Sequence, residues 1–353
     1  MTDSPIDAII VVSFGGPEGP EDVMPFLENV LRGKNVPHNR MLEVAEHYNH
    51  FGGVSPINEQ NRELIRAIKQ ELADHAIDLP VYWGNRNWNP LLPDTLQAMQ
   101  QDGVKNALAF FTSAYSCYSG CRQYRENILA AQEGLGDNAP QVHKLRMFFN
   151  HPLYIEASAE RVEEALSQIP SERRSKTHFI FTAHSIPISM ADGCKYTTQL
   201  NEASRLVMEQ VGGQSWELVF QSRSGPPTQP WLEPDVCDYL EEVGKAGEVK
   251  DIVVMPIGFV SDHMEVLFDL DTEAQEVCER VGINMIRSKT VGTHPKFISM
   301  IRHLILERSN GEPKQAIGEM PPNHDVCPVD CCLPGKRFTG SRPSPGKPAD
   351  SSS

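Results

Sequence analysis

Glu265, Asp269 and Glu273 stand at i, i+4 and i+8, a spacing that on a helix stacks three carboxylates on one face. Like charges so placed repel, and Asp262, Asp271 and Glu276 add to them with no Lys or Arg between Asp251 and Glu279. A solvated acidic face is the ordinary meaning of such a run. Two features argue for chemistry instead. The segment is rich in Val, Leu, Phe and Met, so little of it can be free surface. It also follows the apolar run Ile252 to Ile257 and the turn Ser261-Asp262-His263, where an open α/β sheet places its ligands. A row of acids there can carry a divalent cation in or protons out. His184 ends a second apolar run in THFIFTAHSIPIS; a lone histidine is more often structural, but a strand's carboxyl end favours a working one. A third group is Cys327, Cys331 and Cys332, three thiols within six residues of a polar, Pro-rich stretch. They suit metal ligation and are one short of the four that structural zinc or a [2Fe-2S] cluster takes.

The elements that must position these groups alternate between apolar runs and helical stretches. The runs are Ala8 to Ser13, Pro80 to Gly84 and Ala107 to Phe111, then Thr177 to Thr182, Trp216 to Gln221, Ile252 to Ile257 and Ile283 to Ile286. This alternation predicts an α/β fold of two Rossmann-like, doubly wound parallel-sheet domains with the site in the cleft between them. The expected divisions are residues 1–145 and 146–310, linked near Asn138 to Pro152, then a cysteine-rich segment 311–335 and a disordered Pro/Gly/Ser tail 336–353. Gly15 and Gly16 belong to GGPEG, which is neither GxGxxG nor a P-loop, so no nucleotide site is expected. Phe14 then becomes a wall of an apolar pocket. Ser55, just before the predicted helix Asn58 to Ala73, is expected to cap it. The 353 residues carry a formal net charge of −15, which argues against nucleic acid as a partner. The acidic amino terminus with its short apolar run reads as neither export signal nor membrane span, so a cytoplasmic protein with reduced thiols is expected.

Taken together, THFIFTAHSIPIS and PIGFVSDHMEVLFDLDTEA resemble the two signature segments of the ferrochelatases, which insert ferrous iron into a porphyrin. SFGGPEGPEDVMPFLENVL, YNHFGGVSPIN, GNRNWNP and FQSRSGPPTQPWLEP are similar to family segments in family order, so the likeness covers roughly residues 5–305. It implies a porphyrin cleft with Fe2+ and a porphyrin as substrates. It also implies His184 as the catalytic histidine, Glu265 as the opposing carboxylate near the metal, and Asp269 and Glu273 as proton relay or iron conduit. Which of His184 and Glu265 takes protons and which holds iron stays open. Ser55 and Tyr124 match porphyrin contacts, and with Phe14 and Tyr48 they form the expected substrate-binding set. Arg32, Arg86 and Arg122 are candidate propionate partners, because Arg matches carboxylate geometry. Phe14 stands where some members carry Tyr, so no hydroxyl ligand to iron is expected there.

AYSCYSGCRQYREN and the cysteine-rich C-terminus are most similar to the branch acting on coproporphyrin III, with protoporphyrin IX as the alternative. Members with a C-terminal cysteine group hold a [2Fe-2S] cluster through one further cysteine of the first domain. Cys121 matches that position and Cys117 is the fallback; zinc is the alternative metal. Cys194, Cys237 and Cys278 read as buried or incidental. A monomer is expected. The competing readings are a two-lobed heme- or metal-binding protein without chemistry, and a cobalt or nickel chelatase.

Overall fold

Ala8–Ser13 reads AIIVVS and is buried throughout, as a strand covered on both faces requires. The computed structural model describes residues 5–33, 36–213, 215–225 and 228–335. In it this strand, β1, pairs with β2 (Val81–Asn85) and β3 (Asn106–Phe111), and β3 with β4 (Gln141–Lys144), giving a parallel sheet of order β2-β1-β3-β4. The second half repeats the order as β6-β5-β7-β8, again all parallel, with β5 (His178–His184), β6 (Trp216–Gln221), β7 (Asp251–Met255) and β8 (Asn284–Arg287). Two α/β sheets of matching winding are therefore present, as the alternation predicts. In each, the chain leaves the central strand toward opposite edges, which opens a crevice at the carboxyl ends of β1 and β3 and of β5 and β7.

The helices fill the intervals. After β1 come α1 (Pro20–Leu31), α2 (His38–His50) and α3 (Ile57–Asp74); α4 (Leu92–Gln101) follows β2, α5 (Gln123–Leu135) follows β3, and α6 (Pro152–Leu166) joins the halves. After β5 come α7 (Ile188–Ala191) and α8 (Tyr196–Val211); α9 (Val236–Ala246) follows β6. After β7 come α10 (Met264–Phe268), a π-helical stretch Asp269–Ala274 and α11 (Gln275–Val281), and α12 (Pro295–Ser309) follows β8. Alternate strand residues, Ile9, Val11 and Phe110 in one sheet and Phe179, Phe181 and Met255 in the other, enter one shared core. The opposite faces are covered separately, Ile10 and Val12 with Leu96 and Ile128, and Ile180 and Val219 with Leu240 and Val277.

The shared core makes the floor of the cleft rigid. Phe297 of α12 is fully buried and its ring lies 6.2 Å from Phe110 and 5.8 Å from Phe148. Tyr115 and Tyr154 both donate to the Ile257 carbonyl, at 3.1 and 3.0 Å, tying the first half to the turn that leaves β7. Three expectations change. The stretch read as a link contains β4, whose QVHK carries a single apolar residue; an edge strand needs no long apolar run. β5 extends past Thr182, so His184 is the last strand residue, paired with Gln221. Ser55 does not cap α3, because Pro56 is the N-cap and no side-chain hydrogen bond closes that end. The tail 336–353 lies outside the described residues. No described helix is long and apolar enough to cross a membrane.

Candidate active site

β5 ends on His184, and β7 leads through the turn at Gly258 into α10, which begins one residue before Glu265. His184 Nε2 and Glu265 Oε2 stand 3.9 Å apart. His184 Nδ1 donates to the Ser185 carbonyl, so Nε2 is left as the acceptor on the Glu265 side. Tyr196 Oη donates to the His184 carbonyl at 3.0 Å and fixes the strand end. A separation of 3.9 Å is too long for a hydrogen bond. It is shorter than two ligand bonds of about 2.1 Å laid end to end, so one metal ion fits between the two atoms.

The acidic row does not ride on a plain α-helix. With 3.6 residues per α turn, acids four apart drift around the axis by about 40° per step. The π-helical stretch Asp269–Ala274 holds more residues per turn and reverses that drift. Glu265, Asp269 and Glu273 thereby stay closer to one line than an unbroken α-helix permits. Asp269 Oδ2 accepts from the Ser222 hydroxyl and from Gln221 Nε2, the latter at 3.2 Å. Ser222 has φ 61°, a left-handed conformation that a non-glycine residue adopts only under constraint. Burial pushes the Asp269 carboxyl up to about 7, and the Glu265 charge adds to it. Burial also raises Glu273, helped by Asp235.

Arg287 is the residue that the linear sequence conceals. Pairing of β7 with β8 brings its Nη1 to 3.0 Å from Asp262 and its Nη2 to 2.9 Å from Asp271. Those two acids are neutralised, which corrects the expectation that no cation relieves the group. Glu265, Asp269 and Glu273 have no Lys or Arg partner among the described residues. Tertiary structure thus separates Asp262 and Asp271, both held by Arg287, from Glu265, Asp269 and Glu273, which keep no cation among the described residues.

The first half supplies an aromatic wall. Phe14, Tyr48 and Trp88 pack edge-on against Phe26, with ring centroids 6.2, 5.8 and 6.2 Å away. Burial, with the Glu265 charge second, raises the Tyr48 hydroxyl above its usual range, so Tyr48 senses Glu265 from the other side of the cleft. His47 stacks on Phe268 at 3.8 Å, which seats α2 on α10. The Arg86 guanidinium lies 4.6 Å from the Tyr124 ring and 5.7 Å from Phe14. Ser55 is buried beside Gly16, where an added Cβ would fall 2.7 Å from the Ser55 Cβ, so only glycine lets these loops approach. Arg32 closes α1. Arg122 departs from its expected role: its Nη1 donates to the carbonyls of Val329 and Cys331 at 2.8 and 3.0 Å, and its Nε to Glu126 at 2.8 Å. That guanidinium holds the C-terminal segment.

Residues 311–335 form a strap that crosses back over the first sheet. Arg146 and Glu307 make a buried ion pair at 2.7 Å, and Arg146 also donates to the Gln315 carbonyl at 2.7 Å. Further along, Asn150 Nδ2 donates to Met320 O at 2.7 Å, Glu319 N to Glu202 at 2.7 Å, Asn323 Nδ2 to Ser116 Oγ at 2.8 Å and Lys144 Nζ to His324 O at 2.9 Å. The strap carries its thiols to Cys121. Contact between the two thiols raises Cys121, where burial adds to it, and lowers Cys327, where burial opposes it. Cys331 and Cys332 Sγ lie 3.4 Å apart. Cys117 instead caps the π turn Tyr118–Arg122, its Sγ accepting from Gly120 N at 3.1 Å. Cys194 is pushed up to about 11 by burial, with the Cys117 and Cys331 charges contributing, so it borders this group rather than standing alone. His324 was not singled out by sequence reasoning, although its H-x2-C spacing to Cys327 was a usable signal.

A family model described as ferrochelatase matches residues 6–309. A protein named ferrochelatase from Rhodopirellula baltica is 59% identical over 340 residues, covering 96% of this chain and 95% of that one. The chain belongs to the ferrochelatase family. A coproporphyrin III ferrochelatase from Streptomyces coelicolor is 50% identical, covering 93% of this chain and 94% of that one. Among solved structures, SirB from Bacillus subtilis with Fe3+ superposes with TM-score 0.53 at 13% identity, covering 86% of this chain and 96% of that one, a likeness of fold. The family match ends before the strap.

In this family member, Asp269 makes a testable link between burial and stability. Its folded carboxyl value of about 7 exceeds the unfolded value of about 3.9. Between those values the folded chain holds a proton that the unfolded chain has lost, so the contribution to stability falls as pH rises and levels off above pH 7. Asn mimics the protonated acid. Asp269→Asn is therefore expected to match wild type near pH 4 and to exceed it above pH 7 by on the order of 2–4 kcal/mol. Thermal unfolding across that range reads the difference, and an Asn variant less stable than wild type at pH 8 contradicts it.

Proposed function

We propose that this chain inserts Fe2+ into coproporphyrin III, releasing two protons for each metal that enters. The observation that carries the reading is the His184–Glu265 pair, 3.9 Å apart, at the head of an unpaired acidic row and facing an aromatic wall. His184 Nε2, kept as an acceptor by the Nδ1 bond to Ser185, takes a pyrrole proton; Glu265 holds the incoming ion opposite it. Asp269, poised near neutrality, passes protons on to Glu273 and solvent. Phe14, Tyr48 and Tyr124 contact the macrocycle, Ser55 lies beside it, and Arg86 faces a propionate. A binding protein without chemistry gives no reason for three acids held in line without cations.

The four-propionate substrate is favoured by the names of the Streptomyces coelicolor protein and a 49% identical one from Streptomyces griseus, both coproporphyrin III ferrochelatases. A site expecting four carboxylates leaves polar groups unpaired when two are replaced by vinyls, at about 1–3 kcal/mol each. The kcat/KM for coproporphyrin III is therefore expected to exceed that for protoporphyrin IX by at least about tenfold. A ferrous insertion assay with both porphyrins in one detergent measures this. Equal or reversed preference assigns the chain to the protoporphyrin branch.

We further propose a resident [2Fe-2S] cluster on Cys121, Cys327, Cys331 and Cys332. The donor set fits: four thiols converge, and Lys144 and Arg125 both lower Cys327 by their charge. Arg125 Nε is buried without a hydrogen-bond partner among the described residues, as suits a cation set beside an anionic group. When bound, the cluster supplies a cross-link between strap and first sheet. We also propose a cytoplasmic, monomeric protein with residues 1–145 and 146–310 as its two domains.

A further inference from the structure

The strap presents more donors than one cluster uses. A ring nitrogen of His324, Cys327 Sγ and Cys331 Sγ all lie within 4.8 Å of one another, and His324 Nε2 is 3.9 Å from Cys331 Sγ. In a tetrahedron with sulfur at 2.3 Å and nitrogen at 2.0–2.1 Å from the metal, the edges are about 3.6–3.8 Å. Three donors so close suit a single ion. Cys332 is not one of these three, although its Sγ is 3.4 Å from Cys331 Sγ; it is 3% exposed and has φ 55°, and Cys121 reaches the group through its contact with Cys327. His324 by contrast is exposed, which gives an ion a way in, and its backbone is fixed on both sides. Asn323 is anchored on Ser116 and the His324 carbonyl on Lys144, while Asp325 pairs with Lys314 at 2.6 Å.

We propose that the strap is also a mononuclear site for a tetrahedral divalent ion of the zinc class, held by His324, Cys327 and Cys331 with Cys121 completing the set. The inference rests on the reading of these cysteines as a metal centre. The two donor sets differ by one residue, His324 for Cys332, and share the other three. Loading is therefore exclusive, because a chain carrying zinc leaves only Cys332 of the cluster's four thiols free. The site is chemically distinct from the His184–Glu265 pair, because thiolates select zinc whereas nitrogen and oxygen donors accept ferrous iron.

Full-length protein stripped of metal and titrated anaerobically with Co2+ tests this. Thiolate-to-cobalt charge-transfer absorption reports the strap alone, since the active-site donors are nitrogen and oxygen. One Co2+ per chain with tetrahedral visible bands is expected, displaced by Zn2+. His324→Ala should weaken binding at least tenfold and shift the visible bands, and Cys332→Ser should leave them unchanged. Zinc-loaded wild type should fail to form a cluster on reconstitution until the zinc is removed. Unchanged cobalt affinity and bands in His324→Ala overturn the proposal, as does loss of cobalt binding in Cys332→Ser equal to that in Cys331→Ser. The cluster reading fails separately: wild type that binds cobalt through His324 yet never acquires two irons and two sulfides leaves the mononuclear site standing.

Discussion

His184→Ala protein is expected to bind porphyrin within about tenfold of wild type, about 1.4 kcal/mol, while metal insertion falls by at least about 100-fold. The separation follows from where the two functions reside. Apolar contact with the macrocycle comes from the first half, where Phe14, Tyr48 and Trp88 are braced by Phe26, and none of that packing depends on the imidazole. Proton removal depends on Nε2, whose acceptor role is set by the Nδ1 bond to Ser185. Porphyrin fluorescence titration and an anaerobic Fe(II) insertion assay on the same preparation read the two quantities. Turnover like wild type in this variant removes His184 from the mechanism. Glu265→Gln keeps the shape and removes the charge, so a similar loss is expected. Asp269→Asn and Glu273→Gln lie further along the row and should slow insertion less. Either of them proving more damaging than Glu265→Gln means that the order of the row is wrong.

Cys121→Ser and Cys327→Ser should each yield colourless protein from an anaerobic preparation that, for wild type, is brown with two irons and two sulfides per chain. These two residues are about two hundred positions apart, yet their thiols are brought into contact. The strap that unites them is held mainly by hydrogen bonds to Asn150, Ser116, Lys144 and Arg122, each worth about 1–3 kcal/mol net. Metal–ligand free energy, by contrast, becomes folding free energy when the site does not exist in the unfolded chain. Both variants should therefore unfold at least several degrees below wild type and lose the strap early to limited proteolysis. Cys237→Ser and Cys278→Ser should keep colour and iron. Full cluster content in Cys121→Ser moves the fourth ligand to Cys117, and a wild type that stays colourless after its zinc is removed and iron and sulfide are supplied removes the cluster.

What the sequence determined was local. Apolar runs such as AIIVVS and DIVVM are long enough to be covered on both faces, and strands of that kind alternating with helices admit few arrangements besides parallel sheets. The acidic spacing and the placing of His184 at a strand end were equally legible, because each is a property of neighbours along the chain. Tertiary structure decided everything that depends on residues far apart. Pairing of β5 with β7 sets His184 near Glu265, and pairing of β7 with β8 delivers Arg287 to Asp262 and Asp271. The π turn that straightens the acidic row, the strained Ser222 beneath Asp269, and the reassignment of Arg122 from propionate partner to strap clasp are all contacts of this kind. β4 escaped notice because an edge strand of four residues carries too little apolar signal to register. Periodicity records which face of an element is buried; it carries no information about which distant charge, ring or thiol will meet that face, since those meetings are fixed only when the sheets close on their shared core.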